Sequence, residues 1–255
     1  MTRTLLAIGI GVGDPDYVTI QAVEALNAVD VFFVFDKSET TGDLGPARRA
    51  ICDRHIRGGD YRVVEVPDPP RDRAARDYRG AVRDWRDERT RVMERAIAEE
   101  LADGECGGFL VWGDPALYDG TIRIIESLVE RSTLDLDYQV IPGISSVSAL
   151  AARHRVTLNR VAGPVLITPG RRLARGMPEE VHDVVVMLDS DLACAALRDQ
   201  DITIYWGAYL GTEDEVLIAG PLDKVIDEIA DTRRALRERH GWVMDSYLLR
   251  RAVTE

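Results

Sequence analysis

Cysteine is scarce in this 255-residue chain: Cys52, Cys106 and Cys194 stand far apart with no Cys-x-x-Cys pair. That excludes a disulfide framework and signals no zinc site, leaving buried free thiols as the expectation. Basic charge is scarce too, with 32 Lys and Arg against 44 Asp and Glu and a formal net charge of −12. Non-specific nucleic-acid affinity comes from neutralising phosphates with many cations, so no nucleic-acid partner is expected. No stretch approaches the ~20 consecutive apolar residues that cross a bilayer. The opening Met1-Thr-Arg-Thr-Leu-Leu-Ala-Ile-Gly-Ile10 runs into a glycine motif without a cleavage signature, so a cytoplasmic chain without a membrane partner is expected. Internal repeats and low-complexity segments are also missing. What is present is apolar material, 45% of the chain, enough for one large domain or two of ordinary size and too much for a disordered chain.

Short apolar runs alternate with helix-like stretches, the pattern of α/β construction with parallel sheets. Strands are expected over 4–10, 31–35, 62–66, 108–112 and 138–141, with helices over 19–28, 46–55, 74–102, 121–131 and 145–152. After 156–164 the alternation restarts, with strands expected over 165–168, 184–188, 202–206 and 216–219 and helices over 192–198 and 222–231. Two domains follow, 1–155 and 156–255, joined by the short turn-rich segment around Arg160-Val-Ala-Gly-Pro164.

Three loops at expected strand C-termini carry the functional signal. Gly9-Ile-Gly-Val-Gly13-Asp14-Pro15 sits where an open α/β sheet offers backbone N–H groups to a ligand. A dinucleotide fingerprint needs glycine where Asp14 stands, and Pro15 removes an N–H that a pyrophosphate would use. A tight turn needing glycine for steric reasons explains the loop alone equally simply. The second loop, Trp112-Gly113-Asp114-Pro115-Ala116-Leu117-Tyr118, repeats Gly-Asp-Pro, and the third is Val140-Ile-Pro-Gly143-Ile-Ser145-Ser146-Val-Ser148. A parallel sheet gathers such loops on one edge, so all three are expected to line one pocket.

These residues resemble the tetrapyrrole methyltransferase family, whose members open with Gly-x-Gly-x-Gly-Asp-Pro and carry a central Gly-Asp-Pro and a Pro-Gly-Ile-Ser/Thr loop. Further likeness lies in Trp112–Gly120, in Ile167-Thr-Pro-Gly-Arg-Arg172, in Tyr205-Trp-Gly-Ala-Tyr-Leu-Gly-Thr-Glu-Asp-Glu215 and in Gly241-Trp-Val-Met-Asp-Ser-Tyr-Leu-Leu-Arg250. The resemblance implies two α/β domains, S-adenosyl-methionine in the interdomain cleft with S-adenosyl-homocysteine as its product, and a homodimer. It implies cofactor contacts at Pro15, Gly113, Asp114, Leu117, Ser145, Ser146, Met187, Gly207 and Ala208. Met187 reads equally well as a core gap-filler. The likeness is greatest to the branch that methylates C1 of precorrin-5 and releases an acetyl group as acetate. Another precorrin methyltransferase acting at a different ring carbon is the alternative.

Methyl transfer from a sulfonium to a ring carbon needs positioning and no protein nucleophile. Loss of acetate is the harder step: water adds to a carbonyl and a carbon–carbon bond breaks, so a general base is expected. Asp36, in Phe35-Asp36-Lys37, occupies the place where some relatives carry an aspartate linked to proton transfer, and is the candidate base. A capping Asp paired with Lys37 is the plainer reading. His154 and Tyr118 are weaker acid–base candidates. A polycarboxylate substrate on an acidic protein needs a local cationic patch, and arginine binds carboxylates bidentately. Arg171 and Arg172 are the candidates, with Tyr118 as a further substrate contact. Arg76, Arg79, Arg83 and Arg86 share a helical face but are better read as solvated, with Arg73–Asp77 and Arg83–Asp87 pairs. No metal ligand set is present.

Overall fold

The computed structural model describes residues 2–36, 45–70 and 77–252. The chain forms two compact units, Met1–Ile144 and Ser145–Glu255. In the first, β1 (Arg3–Gly9), β2 (Val31–Asp36), β3 (Arg62–Pro67), β4 (Cys106–Val111) and β5 (Leu136–Ile141) lie in the order β3-β2-β4-β1-β5. Every pairing among them is parallel. Helices α1 (Ile20–Ala28), α2 (Gly45–His55), α3 (Tyr78–Glu100) and α4 (Thr121–Arg131) supply the connections. Because successive strand residues face opposite sides, β1 feeds two cores. Leu5 and Ala7 join Met93 and Ile97 of α3 and Ile125 and Leu128 of α4, while Leu6 and Ile8 join Ala22 and Leu26 of α1 and Ile51 of α2.

Helix starts follow the capping logic: Thr19 Oγ1 accepts from Ala22 N at 3.1 Å, and Asp77 Oδ1 accepts from Gly80 N at 3.0 Å. That cap starts α3 at Tyr78, later than the expected Ala74. Residues 74–76, Lys37 and the arginines Arg73 and Arg76 lie outside the described residues. Arg83 approaches Asp84 at 3.9 Å and not the expected Asp87.

In the second unit β6 (Val165–Pro169), β7 (Asp183–Met187), β8 (Ile202–Ala208), β9 (Val216–Pro221) and β10 (Asp245–Arg251) lie in the order β6-β7-β10-β8-β9. Only β6–β7 is parallel; the other three pairings are antiparallel. The expectation of parallel sheets therefore fails here. The loop 209–215 between β8 and β9 is too short for a crossover, and β10, unrecognised from sequence, enters between β7 and β8. Helices α5 (Ser146–His154), α6 (Gly170–Leu173) and α7 (Leu222–His240) complete the unit. Helix α5 packs on β8, β9 and β10, so it belongs with the second sheet. The helix expected over 192–198 is a 3-10 turn, Ala193–Leu197. Helix α7 continues past Asp231 to His240 because its buried face, Leu222, Ile226, Ile229, Arg233 and Leu236, includes an arginine that hides the apolar period.

Candidate active site

The first two loops and the start of the third are tied together in the first unit. Gly11 and Gly113 exchange backbone hydrogen bonds, Gly113 N to Gly11 O at 2.8 Å and Gly11 N to Gly113 O at 3.3 Å. The Asp114 carboxylate latches its own loop by accepting from Ala116 N at 2.7 Å, and the third loop by accepting from Gly143 N at 3.0 Å. A Cβ on Gly9 would stand 2.5 Å from Gly143 N, and one on Gly143 would stand 2.1 Å from Gly113 O. The Pro15 carbonyl accepts from His55 Nε2 at 2.7 Å, and Asp14 caps the turn through Asp16 N at 2.9 Å. Leu117 is half-buried; Tyr118, exposed and at φ +56, ends the second loop.

In the second unit one row crosses four strands. Pro169 pairs with Met187, Met187 with Ser246, and Ser246 with Gly207. That row puts Ser246 of β10 between Met187 and Gly207, with Ala208 next along β8 and with Arg171 and Arg172 just beyond β6. Ser246 is the residue sequence reasoning missed; recognising β10 as a strand would have found it. Its hydroxyl lies 3.1 Å from that of Ser146, while Ser145 caps α5 by accepting from Ser148 N at 3.3 Å. Met187 is half-buried, whereas Gly207 and Ala208 are buried in the ladder. Arg171 and Arg172 are exposed and make no ion pair among the described residues, which leaves both guanidinium groups for a ligand carboxylate.

Beneath that row lies a buried polar network. Asp245 accepts from Trp206 Nε1 at 2.8 Å and pairs with Arg233 Nε at 2.9 Å. Burial pushes the Asp245 carboxyl up, against the downward pull of Arg233 and the indole. On the other side of the network Tyr247 donates to Asp189 Oδ2 at 2.5 Å. Burial also pushes Cys194 up to about 12 and Cys52 and Cys106 to about 11. All three thiols are free, Cys52 and Cys194 buried as expected and Cys106 only partly so, and none is activated as a nucleophile.

Asp36 ends β2 opposite Pro67, on the strand C-terminal edge of the first sheet but outside the glycine knot. His154, half-buried, bonds the Trp206 carbonyl at 3.0 Å and lies edge-on to Tyr205, a structural role. Burial lowers its pKa from 6.5, against weaker upward pulls from the Trp206 carbonyl and Glu215. Protonation therefore favours the unfolded chain: its stability contribution is full above about pH 6.5 and falls as pH drops below that. His154→Gln is expected to reduce the loss of urea midpoint on acidification, and an unchanged pH dependence would contradict this.

Among the described residues no group of His, Cys, Asp and Glu could hold a metal ion, and no helix is long and apolar enough to cross a membrane. Residues 4–226 match the family profile of the Tetrapyrrole (Corrin/Porphyrin) Methylases. The chain belongs to that family. A protein from Sinorhizobium sp. named Precorrin-6A synthase [deacetylating] is 46% identical over 251 residues, 98% of this chain and 96% of that protein. Precorrin-2 C(20)-methyltransferase from Sinorhizobium sp. is 30% identical over 88% of this chain and 90% of its own length. Among solved structures, a cobalamin synthesis related protein (CobF) from Corynebacterium diphtheriae aligns with TM-score 0.84 and 36% identity, covering 98% of this chain and 99% of its own. Cobalt precorrin-4 methyltransferase shares the methylase fold, with TM-score 0.62 and 18% identity over 97% of this chain and 94% of its own.

Proposed function

We propose that this tetrapyrrole methylase methylates C1 of precorrin-5 with S-adenosyl-methionine and releases the acetyl group as acetate, giving precorrin-6A. The observation that carries the reading is the 46% identity, spanning 98% of the chain, to a relative whose name states the deacetylating synthase. S-adenosyl-methionine, when bound, supplies an electrophilic methyl group. The residues present fit its adenosine end: the Met187 thioether offers apolar contact, and the Ser146 and Ser246 hydroxyls, 3.1 Å apart, with the strand-end backbone at Gly207 offer hydrogen-bonding groups along one row. Met187 and Leu117 offer apolar contacts to the adenosine, and Ser145 and Ser146 with Gly207 and Ala208 bound its polar edge. Pro15, Gly113 and Asp114 hold the amino-acid end. Asp114 acts by keeping the loops latched.

In the reaction the chain positions the two reactants and manages protons. Asp36 takes the proton from the water that adds to the acetyl carbonyl. Arg171 and Arg172 bind substrate carboxylates, with Tyr118 alongside, so charge reversal at both arginines is expected to raise the precorrin KM at least about tenfold while leaving S-adenosyl-homocysteine affinity unchanged. An unchanged KM would remove them from the substrate site. The same reading has the enzyme working in the cytoplasm as a homodimer. The functional test is anaerobic incubation with S-adenosyl-methionine and precorrin-5 followed by mass spectrometry of the pigment. Gain of one methyl with loss of the acetyl group supports the reading; gain of a methyl alone moves the enzyme to another ring carbon.

A further inference from the structure

The turn after β7 holds a bulky residue in a conformation it rarely adopts. Leu188 lies at φ +52 and is 65% exposed, in the left-handed region that costs an L side chain and suits glycine. The next residue enforces it. Asp189 is 6% exposed, and its carboxylate accepts from Asp191 N at 3.1 Å, from Ala193 N at 2.7 Å and from the Tyr247 hydroxyl at 2.5 Å. Its carbonyl accepts from the Arg233 guanidinium. Gly170 lies so close behind that a Cβ there would stand 2.4 Å from Asp189 Cγ. The neighbours thus over-determine the turn, as they must where strain persists, and such strain gathers at ligand sites.

An exposed leucine in that conformation does nothing for the core, and glycine would relieve both the strain and the exposure. Its place gives it a use: it follows Met187 directly, at the edge of the row through Pro169, Ser246 and Gly207. We propose that Leu188 is an apolar contact for a flat conjugated ring bound against Met187, either the adenine of the cofactor or a pyrrole face of the substrate, and that Asp189 is the positioning residue that holds it there. The inference rests on the function proposed above.

Leu188→Gly and Leu188→Met test it by three readouts: melting temperature, S-adenosyl-homocysteine Kd by calorimetry, and precorrin-5 KM. Leu188→Gly is expected to raise the melting temperature by roughly 3 °C as strain is relieved. It is also expected to raise one constant about tenfold. A raised Kd assigns the contact to adenine, and a raised KM with unchanged Kd assigns it to the pyrrole face. Leu188→Met, which keeps an apolar chain, should hold both constants near the unmodified values. A fall in melting temperature for Leu188→Gly, or two unchanged constants, would overturn the inference alone. Failure of the unmodified protein to bind S-adenosyl-homocysteine would instead overturn the functional reading, and this inference with it.

Discussion

Gly143→Ala is expected to cost about 3 kcal/mol or more in urea unfolding and to abolish S-adenosyl-homocysteine binding. The added methyl would stand 2.1 Å from Gly113 O and 2.7 Å from both Gly9 C and Gly9 Cα. All are backbone atoms of strands or loops fixed by the sheet, so no rotamer change makes room. To admit the methyl, the third loop must lift away from the first two, breaking the Gly143 N to Asp114 hydrogen bond of 3.0 Å and opening the Gly11–Gly113 bridge behind it. Gly58→Ala is the control: a Cβ added there would meet no atom within 4 Å, and a change within about 0.5 kcal/mol is expected. A Gly143→Ala protein that unfolds at the unmodified midpoint would show that the loops are not locked together.

Asp36→Ala carries the largest expected effect on turnover. Loss of a general base slows proton transfer by about 10²–10⁴-fold, so acetate release should fall by that factor. S-adenosyl-homocysteine affinity should stay the same, because Asp36 ends β2 beside β3, while the hydrogen bonds that tie the three loops run between Gly11, Gly113, Asp114 and Gly143. Undiminished acetate release would remove Asp36 from the mechanism, and the plainer reading of a capping residue would then hold.

The first unit was legible because its chemistry is local. Its central strands β1 and β4 are short, mostly buried apolar runs, its first helix opens on the cap Thr19, and its loops announce themselves by glycine and proline. The second unit was less so, for one physical reason that appears twice. Central β10 begins with Asp245 and ends with Arg250 and Arg251, and α7 carries Arg233 on its inner face; both patterns look exposed until the partners meet. Arg233 pairs with Asp245 at 2.9 Å, and Arg250 pairs with Asp183 at 2.6 Å. Charges that compensate each other across distant segments cannot be recognised from one segment's periodicity. Missing β10 conceals Ser246 and the antiparallel sheet together, although the family-like motif 241–250 contains both the strand and its serine. The strained turn at Leu188 leaves no sequence signal, since glycine, the usual marker of such a conformation, is absent there.

The proposed chemistry couples two events on one substrate, so the most direct test is their ratio. Anaerobic turnover of precorrin-5 with methyl-labelled S-adenosyl-methionine, with free acetate and S-adenosyl-homocysteine quantified over the same time course, is expected to give one acetate for each S-adenosyl-homocysteine, with the label in the pigment and none in the acetate. S-adenosyl-homocysteine formed without acetate would contradict the account and leave a tetrapyrrole methylase that does not deacetylate.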